Sequence, residues 1–177
     1  MVKVGEMAPD FVLPGYAKGE FKKCALNDFH GKWLILFFYP ADFTFVCPTE
    51  IQGFAHEYAK FAKAGAEVLG ASVDSVYSHK AWVEQELKDV PYPLLSDANK
   101  EIIETYGIAT TDDNGAKVAL RGTFIIDPDG ILKYALVSDN NVGRSVGETL
   151  RVLEALQTGG LCQVDWQPGT PLLNQKK

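Results

Sequence analysis

Residues that bind metal ions or form disulfide frameworks are scarce in this sequence. Its 177 residues include three cysteines and three histidines, and no two cysteines stand in a Cys-x-x-Cys arrangement. The absence of this spacing excludes the reactive dithiol of Cys-x-x-Cys proteins and the paired ligands of zinc-binding domains. We therefore expect no metal centre, and no flavin or nucleotide motif is visible.

Long apolar runs are missing as well. The longest has seven residues, Trp33–Tyr39, whereas a membrane-spanning helix needs roughly 20. The first nine residues lack the apolar core of a signal peptide. We therefore predict a cytoplasmic protein without a membrane-spanning segment. In a reducing cytosol the thiols of Cys24, Cys47 and Cys162 would not serve as structural disulfides.

Positive charge is in the minority. The sequence has 17 basic and 23 acidic residues, which gives a net charge of −6. Such a chain has no general attraction for nucleic acid or for anionic lipid, so we predict neither as a partner. A composition of 46% hydrophobic and 23% charged residues is typical of a globular protein, and the length fits one folded domain.

Apolar stretches alternate with helical patterns, which favours an α/β fold. The predicted strands are residues 11–13, 32–39, 67–73, 123–127 and 132–138, with a shorter one at 93–95. The turn sequence Asp127-Pro128-Asp129-Gly130 separates the last two long strands and predicts a hairpin. The central sheet is therefore predicted to be mixed rather than purely parallel.

Four helices are predicted, at residues 48–64, 77–88, 98–106 and 145–158. Pro48 suits the start of the first, and Ile51, Phe54 and Phe61 lie on its core-facing side. The last helix begins with a capping box at Ser145. Residues 161–177 show no helical or strand period. We predict a domain over residues 1–160 and a mobile tail over 161–177.

One cysteine stands where a thiol becomes reactive. The run Trp33–Tyr39 is typical of a buried strand, and the loop after it leads to Cys47 at the predicted helix start. The amides and dipole of a helix N-terminus stabilise a thiolate, the nucleophilic form of cysteine. Free cysteines are also among the most buried residues. Position alone therefore supports inert packing and a peroxide-reducing nucleophile about equally.

If Cys47 reduces peroxide, hydrogen-bond donors matter more than the fraction of thiolate. The rate must come mainly from stabilising the charge that develops on the two peroxide oxygens.

Cys24 lies in an amphipathic stretch, and we predict it to be a packing residue. Cys162 lies in the irregular segment, where packing does not explain it, so we predict a redox role for it.

The segment 37–50 resembles the active-site segment of typical two-cysteine peroxiredoxins of the bacterial alkyl hydroperoxide reductase type. The pattern Pro-x-x-x-Thr-x-x-Cys falls on Pro40, Thr44 and Cys47. Further matching segments extend over nearly the whole chain, at residues 8–11, 73–75, 93–97, 121–127 and 142–145. The resemblance implies a thioredoxin-like fold, with a central mixed sheet flanked by helices, and an antioxidant peroxidase.

The resemblance also implies a catalytic cycle. Cys47 would be the peroxidatic cysteine, oxidised to a sulfenic acid by hydrogen peroxide or an alkyl hydroperoxide. Cys162 would be the resolving cysteine, located on the partner subunit, and would join Cys47 in an intersubunit disulfide. A thioredoxin-like protein or a flavoprotein disulfide reductase would then restore both thiols. Proteins of this family form homodimers that often assemble into decamers.

Five more residues receive roles from the resemblance. Thr44 would hydrogen-bond the thiolate and the peroxide, Pro40 would shield the pocket, and Arg121 would supply guanidinium donors. Glu50 and Arg144 would form the charge network that orients Arg121. Taken singly, Arg121 is typical of an exposed arginine and Glu50 of simple dipole compensation. Only their joint placement supports these roles.

Three departures from the family pattern bear on the cycle. Gln163 replaces the proline that commonly follows the resolving cysteine, the Gly-Gly-Leu-Gly insertion is absent at residues 86–90, and the terminal Tyr-Phe element is missing. In the family the last two elements restrain local unfolding around the active site, so from their absence we expect an enzyme that resists overoxidation of Cys47. Two alternatives stay open: a one-cysteine peroxidase in which Cys162 has no role, and a redox-sensing or chaperone-like ring that is not an enzyme.

Overall fold

A computed structural model describes residues 2–173 of the chain. The chain divides into two compact units, Met1–Arg144 and Ser145–Lys177. The boundary that the sequence suggested at residue 160 stays a prediction.

The first unit contains nine strands and three α-helices among its described residues. The strands are β1 (Val12–Ala17), β2 (Glu20–Ala25), β3 (Trp33–Phe38), β4 (Ala66–Ser72), β5 (Leu94–Ser96), β6 (Ala109–Thr111), β7 (Lys117–Ala119), β8 (Arg121–Ile126) and β9 (Leu132–Ser138). The helices are α1 (Cys47–Lys63), α2 (Val76–Trp82) and α3 (Glu101–Thr105); a 3-10 turn covers Leu26–Phe29, and a π-helical turn covers Val83–Leu87.

Seven of the strands form one mixed sheet, in the order β2-β1-β5-β4-β3-β8-β9. Strand β4 pairs in parallel with β3 and β5, while the pairs β3/β8 and β8/β9 are antiparallel. Helix α1 packs against β4, and α2 packs against β1 and β5. The predicted α/β class, the mixed sheet with flanking helices and the hairpin at Asp127–Gly130 are therefore confirmed.

Strand β3 lies inside the sheet, which explains its continuous apolar sequence. Its residues from Leu34 to Phe38 are all buried, as expected for a strand that is covered on both faces. Phe37 stacks on Phe54 of α1 with ring centroids 4.3 Å apart, so the helix is fixed over the strand. Phe37 is also in register with Thr123 of β8. The end of β3 therefore lies beside the start of β8.

Several predicted boundaries were wrong. The strand predicted at 11–13 runs from Val12 to Ala17, and the helix predicted at 98–106 covers only Glu101–Thr105. The reason for the shorter helix is local: Lys100 has a positive φ of 65°, and the Asp97 carboxylate accepts the N–H groups of Ile102 and Ile103. The helix predicted at 77–88 changes to π-helical geometry after Trp82.

Sequence reasoning missed three strands. Strand β2 has four exposed residues in succession, because it is an edge strand, and its polar sequence lacks the expected alternation. Strands β6 and β7 have three residues each and form a separate two-stranded sheet. Both are too short for a hydrophobic period to be recognised.

The second unit consists of helix α4 (Val146–Gln157) and an irregular segment that follows it. The Ser145 side chain accepts the N–H of Glu148 at 3.1 Å, as the capping box predicts. The Glu148 carboxylate binds the guanidinium of Arg151 instead of completing the box. Residues 161–173 contain no helix or strand, in agreement with the missing sequence period.

Candidate active site

Cys47 is the first residue of α1, one loop beyond the end of β3. Its side chain is 1% exposed, and Pro48 follows it in the first turn. The N–H groups of Thr49 and Glu50 donate to the carbonyl of Val46 at 3.1 and 3.3 Å. The sulfur is therefore buried at the positive end of a helix dipole, as the sequence predicted.

Arg121 supplies a charged donor to this sulfur. It begins β8, and the pairing of β8 with β3 brings it to the end of β3. Its Nη1 lies 3.4 Å from Cys47 Sγ and 2.6 Å from Glu50 Oε2. On the other side its Nε and Nη2 donate to the carbonyl of Asn140 at 3.1 and 2.8 Å. A buried guanidinium that is fixed on both sides in this way keeps one N–H group directed at the sulfur of Cys47.

Glu50 lies between two arginines. Besides the bond from Arg121, it accepts the backbone N–H of Arg144 and its Nε, both at 2.9 Å, and its Nη2 at 3.1 Å. The side chains of Glu50 and Arg144 are 2% and 1% exposed. One carboxylate in the first turn of α1 therefore holds both guanidinium groups in place.

Arg144 ties three elements together at this point. Its Nη2 donates to the carbonyl of Phe38 at 2.6 Å, and its Nη1 donates to the carbonyl of Gly122 and to Thr123 Oγ1 at 2.8 and 3.1 Å. Its guanidinium carbon lies 5.1 Å from the ring centre of Phe37, which adds a cation–π contact. The network links the end of β3, the start of β8 and the start of α1.

The charge state of Glu50 follows from these contacts. Burial alone would raise the pKa of this carboxyl group. The hydrogen bonds and charge of Arg144, together with the charge of Arg121, outweigh burial and lower the pKa of Glu50 below its usual value. Glu50 is therefore ionised at neutral pH, and its charge fixes the direction of the Arg121 donors.

Pro40 and Thr44 line the same cavity as Cys47 and Arg121. The Thr44 side chain points its hydroxyl hydrogen at the carbonyl of Ala41, 3.0 Å away. The oxygen lone pairs of that hydroxyl are the groups that can accept a hydrogen bond from a substrate. The roles of Pro40 and Thr44 towards peroxide stay predictions.

A buried polar network under the loop after β3 was not foreseen. Tyr39 donates to Asp42 Oδ1 at 2.9 Å, and Asp42 Oδ2 lies 2.8 Å from Nδ1 of His79. The other ring nitrogen of His79 lies 3.0 Å from the carbonyl of Leu95. Nothing in one sequence indicates that Asp42 and His79 meet, because 37 positions separate them. The network holds the loop that carries Pro40 and Thr44.

Asn140 was also missed, and it contributes through its backbone. Its carbonyl accepts both bonds from Nε and Nη2 of Arg121, so side-chain chemistry gives no signal of the contact. The cavity beside Cys47 has a volume of about 530 Å³ and is completed by the hairpin β6–β7 and by residues 139–141. Neither segment was part of the predicted site.

Cys162 lies in the second unit, after α4. Its Sγ is 3.5 Å from the hydroxyl of Thr158 and donates to the carbonyl of Ala155 at 3.7 Å. The thiol is partly exposed, and neither it nor Cys24 or Cys47 takes part in a disulfide. Trp166 is buried nearby in the chain, and its indole N–H donates to the carbonyl of Thr170. Cys24 is buried on β2, as predicted for a packing residue.

Neither a metal site nor a membrane span is found in residues 2–173. No group of three or more His, Cys, Asp or Glu side chains there is placed to hold a metal ion. No helix in that part of the chain is long and apolar enough to cross a bilayer.

The chain is similar to known proteins over most of its length. Residues 4–135 match the model of the AhpC/TSA family. A Clostridium pasteurianum protein, provisionally named a peroxiredoxin of the rubredoxin operon, is 48% identical over 94% of this chain and 96% of its own. The chloroplastic 2-Cys peroxiredoxin BAS1 of Spinacia oleracea is 47% identical over 94% of this chain and 65% of its own.

A solved structure is similar over almost the whole chain. The crystal structure of reduced Plasmodium vivax 2-Cys peroxiredoxin has a TM-score of 0.90 and 36% identity, and the match covers 97% of this chain and 93% of that one. This likeness confirms the thioredoxin-like fold that the resemblance implied.

Proposed function

Because this chain belongs to the AhpC/TSA family and is a peroxiredoxin, a thiol-dependent peroxidase, we propose that Cys47 is the residue that reduces the peroxide. The observation that carries the proposal is the distance of 3.4 Å between Arg121 Nη1 and Cys47 Sγ in a buried cluster. The same guanidinium can donate to a peroxide oxygen beside the sulfur. Thr44 accepts from the O–H of the bound hydroperoxide, and Pro40 keeps water from the sulfur.

The chemical step is a displacement at oxygen. The Cys47 thiolate attacks the terminal oxygen of ROOH, so an S–O bond forms and the O–O bond breaks. The products are Cys47 sulfenic acid and an alkoxide or hydroxide, which takes a proton from solvent and leaves as an alcohol or water. Sulfur loses two electrons and the peroxide gains them. Arg121 stabilises the negative charge as it moves to the leaving oxygen.

The second half of the cycle uses Cys162. The first turn of α1 unwinds, and Cys162 of a neighbouring subunit condenses with the Cys47 sulfenic acid to form a disulfide and water. A dithiol protein, thioredoxin-like or part of a flavoprotein disulfide reductase, reduces that disulfide by thiol exchange. The protein is then a homodimer, and assembly to a decamer and a cytoplasmic location remain predictions.

The proposal is tested by adding one equivalent of hydrogen peroxide per subunit to the reduced protein, followed by nonreducing gel electrophoresis and peptide mapping. We expect a Cys47–Cys162 disulfide between two chains. The Cys47→Ser and Cys162→Ser variants should give no such dimer, and Cys24→Ser should behave as the unmodified chain does. A sulfenic Cys47 with Cys162 still free would favour the one-cysteine mechanism, and an unmodified Cys47 would overturn the proposal.

A further inference from the structure

The loop between β3 and α1 forms part of the wall of the cavity that contains Cys47. The loop residues at the cavity are Pro40, Ala41, Thr44, Phe45 and Val46. Asp42 belongs to the same loop but does not line the cavity, and neither does its partner His79 on α2. Any effect of these two residues on the reaction must therefore act through the shape of the loop.

His79 has a hydrogen-bond acceptor at each of its ring nitrogens. Its Nδ1 lies 2.8 Å from Asp42 Oδ2, its Nε2 lies 3.0 Å from the carbonyl oxygen of Leu95, and the side chains of His79 and Asp42 are 0% and 1% exposed. A carbonyl oxygen only accepts, so Nε2 carries a hydrogen. The contact between Nδ1 and Oδ2 needs a hydrogen of its own, which His79 or Asp42 supplies. The two side chains are therefore joined by a hydrogen bond that is shielded from water.

Asp42 is fixed by its backbone as well as by its side chain. The Tyr39 hydroxyl donates to Asp42 Oδ1 at 2.9 Å. Burial, together with the charge of Asp42, raises the pKa of Tyr39 well above its usual value, so this donor keeps its proton. The backbone N–H of Asp42 donates to Asp74 Oδ2, also at 2.9 Å. Residue 42 is thus attached to the end of β3, to α2 and to the segment after β4.

Phe43, the next residue, has a backbone conformation that is unfavourable for a residue with a side chain. Its φ is 54°, in the left-handed region where a Cβ atom lies too close to the following carbonyl oxygen. Such a conformation persists only where surrounding contacts maintain it. Helix α2 supplies two of these contacts: His79 binds Asp42, and the ring centroid of Trp82 lies 5.8 Å from that of Phe43.

The conformation of Phe43 determines where Thr44 lies. The Thr44 hydroxyl donates to the carbonyl of Ala41 at 3.0 Å, so the turn over residues 41–44 is closed around Asp42 and Phe43. If the φ of Phe43 changed to a negative value, the chain would leave the turn in another direction. Thr44 would then lose its place in the lining of the cavity.

We propose that Asp42 and His79 are positioning residues for peroxide reduction. Their buried hydrogen bond keeps Phe43 in the left-handed conformation and thereby holds Thr44 in the cavity beside Cys47. Neither of the two touches the substrate. The inference rests on the proposed roles of Cys47 and Thr44 and adds the residues on which the place of Thr44 depends.

Substitutions of the buried pair separate this role from a general effect on stability. Asp42→Ala and His79→Phe each break the pair. Asp42→Asn keeps it, because the amide N–H can donate to Nδ1 of His79 while the amide oxygen accepts from Tyr39. Tyr39→Phe removes only one bond to Asp42. Its matched control is Tyr106→Phe: the Tyr106 hydroxyl donates to the carbonyl of Pro9 at 3.0 Å, and neither residue lines the cavity.

The measurement compares two reactions of the same thiol. Each reduced protein is checked for folding by circular dichroism and is then treated with hydrogen peroxide or with iodoacetamide. Rapid quenching and mass spectrometry follow the loss of the Cys47 thiol. Alkylation by iodoacetamide uses the thiolate but involves no hydroperoxide O–H for Thr44 to bind, so its rate reports the reactivity of Cys47 alone.

We expect hydrogen peroxide to react about tenfold more slowly with Asp42→Ala and His79→Phe, and about threefold more slowly with Tyr39→Phe. Asp42→Asn should keep most of the rate, and Tyr106→Phe should react as the unmodified chain does. Alkylation of Cys47 should not become slower in any of these variants. Loss of the peroxide reaction alone is what a positioning role predicts.

Glycine at position 43 tests the link through the backbone. Glycine adopts a positive φ readily, whereas alanine does not, and both lack the ring that contacts Trp82. In the Asp42→Ala chain, adding Phe43→Gly should therefore make peroxide oxidation of Cys47 about threefold faster than adding Phe43→Ala. Equal rates would overturn the inference.

Two further results would also overturn it. One is a peroxide rate like that of the unmodified chain in folded Asp42→Ala and His79→Phe; the other is an equal slowing of both reactions. If those two variants do not fold, Tyr39→Phe decides, and a rate equal to that of Tyr106→Phe would overturn the inference. Failure of hydrogen peroxide to oxidise Cys47 in the unmodified chain would instead overturn the peroxidase role itself.

Discussion

Arg121 Nη1 lies 3.4 Å from the Sγ of Cys47, although 74 positions separate the two residues in the chain. The contact exists because β8 pairs with β3 and because the loop after β3 leads directly into α1. The position of the donor depends on the neighbours of Arg121, and these neighbours allow specific tests.

Replacing Arg121 with lysine should reduce peroxidase activity strongly. A lysine keeps one charge but cannot bind Glu50, Cys47 and the Asn140 carbonyl with a single ammonium group. We expect kcat/KM for hydrogen peroxide to fall by about 100-fold, as when one donor to a developing negative charge is removed. The control is Arg151→Lys in the exposed pair with Glu148, which should retain activity. A loss of less than about threefold in Arg121→Lys would mean that charge alone is sufficient.

Glu50→Gln should destabilise the fold in a pH-dependent way. The variant leaves the two buried arginines without their shared carboxylate, which costs about 3 to 5 kcal/mol at pH 7. The pKa of Glu50 is lowered in the folded protein, so its contribution is present above the pKa of the unfolded chain and is lost as pH falls through the folded value. Urea unfolding of the unmodified chain and of Glu50→Gln should show that their free energies of unfolding become more similar as the pH is lowered.

The exposed pair of Glu148 and Arg151 is the control for that measurement. Glu148→Gln removes a solvent-exposed ion pair and should change the free energy of unfolding by less than about 1 kcal/mol. The free energies of unfolding of the wild type and of Glu50→Gln could instead differ by the same amount from neutral to strongly acid pH. That result would show that the carboxylate charge is not what stabilises the cluster.

Substitutions of Thr44 separate its hydroxyl from its shape. Thr44→Ser keeps the hydroxyl that donates to the Ala41 carbonyl and should keep most of the activity. Thr44→Val has nearly the same volume but neither donates nor accepts, so the rate of Cys47 oxidation should fall about tenfold, the effect of one lost hydrogen bond. Stopped-flow measurement with hydrogen peroxide decides the point, and equal rates for the serine and valine variants would remove Thr44 from the mechanism.

Gly70→Ala tests the packing that fixes α1 over β3. A Cβ at this position in β4 would lie 2.9 Å from Leu94 Cδ2 and 2.9 Å from Phe37 Cζ, so the substitution should cost about 1 to 3 kcal/mol of stability. Gly147→Ala in α4 is the matched control, because nothing lies within 4 Å of its added methyl group. That change should be neutral or stabilising by up to about 1 kcal/mol. Urea unfolding with equal free energies for the two variants would contradict the argument.

The sequence was informative where chemistry or periodicity is concentrated in neighbouring residues. Strand β3, the helix start at Cys47 and the turn at Asp127–Gly130 each carry a local signal, and all three were predicted. The shortening of α3 depends on the Asp97 carboxylate and on the positive φ of Lys100, which compete with a helical pattern that the sequence does show.

The rest of the site depends on contacts between distant segments. The resemblance names Glu50, Arg121 and Arg144 as site residues. It does not show that two guanidinium groups share one carboxylate, because this depends on the register between β3 and β8. Asn140 anchors Arg121 through its backbone carbonyl. Any residue at that position would supply the same carbonyl, so the sequence carries no signal of the contact. Asp112 and Asp113 reach the cavity beside Cys47 on a hairpin whose strands are too short to show a period.

Glu50 also sets a limit on how far Cys47 can travel in the proposed cycle. The two arginines hold α1 at its fourth residue, so the helix can uncoil from its beginning only as far as this point without breaking buried ion pairs. Three residues in extended form reach about 10 Å. A resolving thiol must therefore come within that distance of Glu50 to meet the sulfur of Cys47. Moving the carboxylate to another position along the helix would change the distance.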